Sequence, residues 1–201
     1  MKVLFATKNE AKLKRYADKL KKKGIDLISI KDLDLKEEVE VIENGKDALE
    51  NAYIKAKAYY DATGIVTFGI DDNLFFEDIP EEKQPGTHVR RINGKYLNDD
   101  EMIEYYTNLA KEFGGKINAK WVYGLVLYDG KEKKEYVWSR GNTQLVDSAS
   151  DIRSPGYPLS SILKITKYNK YVVELTEEEK KSDTLYDKDD DVIEFIAQNV
   201  L

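Results

Sequence analysis

Lys2-Val3-Leu4-Phe5-Ala6-Thr7-Lys8-Asn9-Glu10-Ala11-Lys12-Leu13 changes its apolar period partway along. Its first half is a continuous apolar run of strand length. After Thr7-Lys8-Asn9, the apolar positions become Leu13, Tyr16, Ala17 and Leu20, which is helical spacing. A buried strand that passes through a short polar turn into an amphipathic helix is the opening unit of an α/β domain. Outward from it, Ile25 to Ile30 predicts a second strand, and Val39 to Ile42 a third before the Glu43-Asn44-Gly45 turn. Ala48, Ala52, Ala56 and Tyr59 predict a helix from Asp47 to about Asp61 that stops at Gly64. Ile65 to Ile70 is apolar enough for a central strand that ends at Asp71-Asp72.

Pro80 to Gly86 is charged and carries two prolines, which suits a surface loop. A helix follows, capped by Asp99 or Asp100, with Met102, Ile103, Tyr106, Leu109 and Ala110 on one face. Ala119 to Tyr128 and Glu135 to Arg140 predict strands joined through Asp129-Gly130, and Val172 to Leu175 a last short strand. A closing helix runs from Asp189 to Asn199. Trp121 and Trp138 fall in strand-like runs, where packing is their expected role. The fold class is therefore α/β with a mixed sheet flanked by helices.

The 201 residues, 41% of them hydrophobic, suit one domain with a small lobe, spanning 1–201. The net charge of -6 comes from interleaved lysine and glutamate, which gives no basic footprint for nucleic acid. No cysteine is present, which excludes thiolate chemistry and disulfides. Met1 to Ala6 is short for a signal peptide, and no run reaches the ~20 apolar residues of a membrane span. A soluble cytoplasmic protein with no membrane partner is expected.

Three groups of residues carry possible chemistry. Thr7, Lys8, Asn9 and Lys12 lie at a strand-to-helix junction, where exposed N–H groups and a lysine one turn in suit phosphate. The same residues also read as an ordinary helix cap. Asp71 and Asp72, after the most apolar strand, could hold a divalent cation or orient water, or could simply form a solvated turn. Glu43, Glu50, Asn51 and Lys55 form the third group: Asn51 and Lys55 share a helix face that the Glu43 turn leads into, a phosphate-and-metal arrangement or an ordinary Glu-Lys surface pair. His88 stands alone in a loop, where a solvated role is commoner than catalysis. Arg91 nearby is the better phosphate ligand.

Taken in order, these pieces resemble the inosine triphosphate pyrophosphatase family, also called Ham1 or RdgB. Ala6-Thr7-Lys8-Asn9-Glu10-Ala11-Lys12 matches its Ala-Thr-x-Asn-x-x-Lys, and Glu50 to Ala56 matches its Glu-Asn-Ala-x-x-Lys-Ala. Asp71-Asp72-Asn73-Leu74-Phe75 stands for Asp-Asp-Ser-Gly-Leu, followed by Pro85, Gly86 and Arg91. Glu174-Leu175-Thr176 and Glu178-Glu179-Lys180 match Glu-Leu-Thr and Glu-Glu-Lys. The resemblance implies an ITPase-like (Maf/Ham1) fold, a smaller second lobe with a cleft between lobes, a homodimer, and cleavage of a nucleoside triphosphate to monophosphate and pyrophosphate with Mg2+ or Mn2+.

By position it implies Asp72 as the catalytic residue and Glu43, Asp71 and Asp72 as metal ligands. Thr7, Lys8, Asn9, Lys12, Lys55, Asn73, Arg91, Tyr157 and Lys180 would contact substrate. The departures cluster at the base. Tyr157-Pro158-Leu159-Ser160-Ser161 replaces Phe-Gly-Tyr-Asp-Pro, Thr184-Leu185-Tyr186 replaces Ser-His-Arg, and Leu74 replaces a glycine. The resemblance therefore implies house-cleaning of ITP, XTP, dITP or other modified nucleotides with altered base specificity. The alternative is a nucleotide-binding regulatory protein that keeps the fold and has weak or no turnover.

Overall fold

The computed structural model describes residues 1–35, 37–182 and 188–200. The chain opens with β1 (Lys2–Phe5), α1 (Glu10–Lys22), β2 (Asp26–Ser29), α2 (Ala48–Thr63) and β3 (Thr67–Phe76). It continues with β4 (Arg91–Ile92), β5 (Lys95–Tyr96), α3 (Asp99–Glu112), β6 (Lys116–Tyr128) and β7 (Lys133–Val146). It closes with β8 (Leu163–Ile165), β9 (Lys170–Tyr171), α4 (Glu177–Ser182) and α5 (Asp189–Val200). The main sheet has the order β2-β1-β3-β6-β7-β8-β9. It is mixed, because β1 runs parallel to β2 and β3 while β8 runs antiparallel to β7 and β9. No helix among the described residues is long and apolar enough to cross a membrane.

The chain forms two compact units. The first gathers Met1–Asp72, Tyr123–Trp138 and helix α5; the second gathers Asn73–Val122 and the chain from Ser139 through α4. In the first unit, strand alternation divides the core in two. Val3, Phe5, Phe68 and Ile70 turn to one side, where they pack with Tyr16 and Leu20 of α1 and with Ile193 and Ile196 of α5. Leu4 and Ala6 turn to the other side, toward Tyr59 of α2. Arg15 of α1 ties the first layer together by donating from Nε to both carboxylate oxygens of Asp189, at 2.9 and 2.8 Å.

Two glycines let α2 lie directly on the sheet. A Cβ on Gly69 of β3 would stand 2.3 Å from the Ala52 carbonyl oxygen, and one on Gly124 of β6 would stand 2.6 Å from Leu49 Cα. Glycine inside a strand often marks such a close backbone approach. Ala48, Ala52 and Ala56 present the matching small ridge, and all three are buried.

The second unit has its own core, in which Tyr106, Leu109 and Ala110 of α3 pack with Leu74, Leu145 and Ile162. The Tyr106 hydroxyl donates to the Val89 carbonyl at 2.8 Å, and burial pushes that phenol far above its ordinary pKa.

Four sequence expectations are corrected. Val39 to Ile42 is not a strand: Leu33, Leu35, Val39 and Val41 lie over the Leu4-Ala6-Tyr59 cluster without joining the sheet, so their alternation reflects packing rather than a ladder. The central strand does not end at Asp71, because Asn73, Leu74 and Phe76 are buried and carry β3 on to residue 76. Helix α3 is capped by Asn98, in a reciprocal box with Glu101, rather than by Asp99 or Asp100. Asp99 instead accepts from Arg90 Nη1 at 2.8 Å and from the Gly156 backbone at 2.9 Å. Finally, Val172–Glu174 is a 3-10 turn, with strand β9 just ahead of it. The expected packing role of Trp138 holds: it is buried and stacks on Tyr123, with ring centroids 4.9 Å apart.

Candidate active site

Parallel pairing fixes where the opening loop and the aspartates meet. Phe5 of β1 pairs with Phe68 of β3, so Thr7 to Asn9 and Asp71-Asp72 both follow the carboxyl end of the β1/β3 pair, where open α/β sheets place ligands. Asn9 is the N-cap of α1, and its Oδ1 accepts from the backbones of Ala11 at 2.9 Å and Lys12 at 3.2 Å. Thr7 Oγ1 accepts from the Asn9 backbone at 3.1 Å. The cap reading of this loop is thus correct in its geometry, and it places the first turn of α1, with Lys12, beside β3.

Consecutive strand residues face opposite sides. Asp72 lies on the α1 side, where Lys12 Nζ donates to its Oδ2 at 2.8 Å, the two side chains being 22% and 21% exposed. Asp71 lies on the α2 side, 3.2 Å from Lys55 Nζ, and the same ammonium is 3.5 Å from Glu43. Lys55 and Asp71 are 13% and 15% exposed, so Lys55 is no ordinary surface partner. Asp71 also accepts the backbone N–H of Asp72 at 2.9 Å. Burial holds the Asp71 carboxyl above the usual carboxylate range, Lys55 pulls against that shift, and the Asp72 charge adds to it.

Glu43 is presented by an irregular turn that two side chains hold in place. Asn51, buried inside α2, accepts the Gly45 N–H at 2.8 Å, and Asp47 caps the helix by accepting from Glu50 at 2.9 Å. Asn51 is therefore a positioning residue for the turn that carries Glu43, a role its place beside Lys55 does not reveal in sequence. Glu50 is the surface member of the group, pairing with Lys46 at 2.9 Å. Lys8 is exposed and pairs with Glu38.

The remaining site expectations fall in the second unit. Asn73 is buried, and its Oδ1 has no hydrogen-bond partner among the described residues. Arg91 is exposed on β4, and its neighbour His88 is exposed as well. Tyr157 precedes the 3-10 turn Pro158–Ser161, and Lys180 in α4 pairs with Glu177 at 2.8 Å. The Thr184-Leu185-Tyr186 substitution lies outside the described residues.

No group of three acidic or histidine side chains among the described residues is arranged to hold a metal ion. Asp71 and Asp72 each meet a lysine instead. The donor set still suits magnesium, which binds through one or two carboxylates plus substrate phosphates rather than through an all-protein cage.

Residues 3–184 match the model of the Ham1 family. A dITP/XTP pyrophosphatase of Aquifex aeolicus is 29% identical over 189 residues, covering 90% of this chain and 88% of that protein. One of Lactobacillus acidophilus is 28% identical over 184 residues, covering 89% and 88%. The Ham1 protein of Staphylococcus aureus superposes with a TM-score of 0.72 at 20% identity, and that of Coxiella burnetii with 0.73 at 19%. In both cases the match covers 100% of this chain and 98% of the other. The opening loop, the lysine-faced aspartates and this end-to-end correspondence agree: the chain belongs to the Ham1 family.

Proposed function

We propose that this protein hydrolyses a nucleoside triphosphate between the α- and β-phosphates, releasing the monophosphate and pyrophosphate. The observation that carries the reading is the pairing of Lys12 with Asp72 and of Lys55 with Asp71 and Glu43, at the carboxyl end of the β1/β3 pair. Lysines there offer charge to phosphate oxygens, and the carboxylates offer hard oxygen donors and a base. The names of the Aquifex and Lactobacillus relatives support the same chemistry.

In this scheme Lys12 and Lys55 bind and orient the phosphates, and their charge offsets what builds on the leaving pyrophosphate. Asp72 orients and deprotonates the attacking water. One or two of the carboxylates Glu43, Asp71 and Asp72, together with substrate phosphates, would hold a magnesium or manganese ion, which would supply positive charge to offset that of the phosphates. By motif position, Thr7, Lys8, Asn9, Asn73, Arg91, Tyr157 and Lys180 are further substrate contacts. The replaced base-contact motifs at Tyr157 to Ser161 and Thr184 to Tyr186 favour a base preference shifted from ITP and XTP. They also favour, as a second reading, nucleotide binding with little turnover. A cytoplasmic homodimer is part of the proposal, with sedimentation of the purified protein as its check.

Pyrophosphate release from ITP, XTP, ATP, GTP and pyrimidine triphosphates, with and without Mg2+, decides between the readings. Metal-dependent release that Asp72→Asn removes is the expected result. Nucleotide binding without release on any substrate would establish the second reading instead.

A further inference from the structure

The lysines and carboxylates of the site already neutralise one another. Lys12 sits on Asp72 at 2.8 Å, and Lys55 lies 3.2 Å from Asp71 and 3.5 Å from Glu43. Apart from Glu43, which is 40% exposed, these side chains are between 13% and 22% exposed, so each charge is partly withdrawn from water. A divalent cation arriving alone finds its carboxylates held by ammonium groups. A triphosphate arriving alone finds its lysines held by carboxylates. Either ligand must strip a partner from a half-buried charge and leave that charge exposed to repulsion or desolvation, a cost that water only partly offsets.

We propose that Lys12 and Lys55 are the resident counter-cations of Asp72, Asp71 and Glu43, and that metal and triphosphate bind by exchanging partners, each raising the affinity for the other. The inference rests on the hydrolase reading above. When both ligands arrive, the ammonium groups pass from carboxylate to phosphate and leave carboxylates free for the cation, so fewer charges are stranded than with either ligand alone. The coupling is reciprocal by thermodynamic necessity. It gives Lys12 and Lys55 opposite effects on the two ligands: they attract phosphate and hold off metal.

This has a consequence that a simple phosphate-binding role does not share. Deleting a lysine should tighten metal binding in the absence of nucleotide. Mn2+ alone, titrated by calorimetry or electron paramagnetic resonance, should bind Lys12→Met and Lys55→Met roughly tenfold more tightly than the wild type, the size expected of a part-buried charge pair after screening. Lys12→Arg, which keeps the charge, should return the affinity toward wild type. Lys57→Met, on the outer face of α2, should leave it unchanged. In the mirror experiment, inorganic tripolyphosphate in EDTA should bind Asp72→Asn more tightly than wild type, because Lys12 is released. Thermal melts establish that each variant is folded.

If folded Lys12→Met and Lys55→Met bind Mn2+ no more tightly than wild type, the exchange is overturned. Should that happen while the wild type still releases pyrophosphate, the proposed function survives. If the affinities move as expected but no nucleotide is hydrolysed, the exchange stands and the hydrolase reading falls.

Discussion

On the outer face of α2, Lys57 pairs with Asp61 one turn later, and just ahead of the helix Lys46 pairs with Glu50; Lys46 is 76% exposed and the other three about half. On its inner face Lys55 is 13% exposed and reaches Glu43, in the preceding turn, and Asp71, on a strand sixteen residues on. The residue types are the same and the physics differs. The outer pairs lie four residues apart, where solvated partners contribute a few tenths of a kcal/mol to the helix. The inner pair is largely withdrawn from water, at 13% and 15% exposure, so its partners interact more strongly and are costly to separate. Identical local sequence chemistry thus becomes surface decoration or a part-buried charge cluster according to which face meets the sheet.

Four substitutions probe this contrast. The largest effect is expected from Asp72→Asn, which removes the proposed base while keeping the shape: kcat should fall by about 100- to 10,000-fold, with nucleotide binding retained. Turnover within a few-fold of wild type would move the chemistry away from β3. Gly69→Ala comes next. The new methyl carbon would fall 2.3 Å from the Ala52 carbonyl, so α2 must shift, with a loss of about 1–3 kcal/mol in denaturant unfolding and a displaced Lys55. A neutral result would mean that the helix is not held against the sheet there.

Asp71→Asn tests the burial of the inner pair through pH. Burial raises the native pKa of Asp71 above its unfolded value of 3.8, so the native state holds this proton longer than the unfolded chain. The resulting stability is present in full below 3.8 and is lost as pH rises through the native value. Metal-free melts should therefore show the Asn variant gaining on wild type as pH rises across that window. The opposite trend would show that Lys55 outweighs burial. The smallest effect belongs to Lys57→Ala on the outer face, within about 0.5 kcal/mol of wild type and with unchanged activity. A larger loss would erase the distinction between the faces.

Much of the architecture was legible because it depends on periodicity. The β1-to-α1 transition, the alanine ridge of α2 and the apolar faces of α3 and α5 each repeat at the spacing of the element they form. Short elements gave no such signal: β8 and β9 span three and two residues, too few to show a period, and are defined by pairing, β8 with β7 and β9 with β8. Val39 and Val41 alternate as a strand would, but they satisfy packing against Leu4, Ala6 and Tyr59 without a ladder.

The aspartates misled in the other direction. Asp is unfavourable in strands, which suggested an end to β3, yet burial of Asn73, Leu74 and Phe76 overrides that preference. At the candidate site, the charged residues could be singled out from sequence but their pairing could not. Lys12 and Asp72 are sixty residues apart, and only the parallel register of β1 and β3 brings them together. Asn51 and Gly69 left a faint trace, one as a polar residue on an apolar helix face and the other as a glycine inside an apolar strand.

The contact between Gly69 and Ala52 is made by main-chain atoms on the helix side and by the absence of any side chain on the strand side. Such a spacer has no rotamers to populate as temperature rises, and it lies two residues from Asp71 and three from Lys55. The separation between the charges is set by a backbone gauge, which can change only if the helix leaves the sheet. Heat should accordingly inactivate the protein together with unfolding of the first unit, with no cooler range in which the chain stays folded and the lysine has already drifted from its carboxylate.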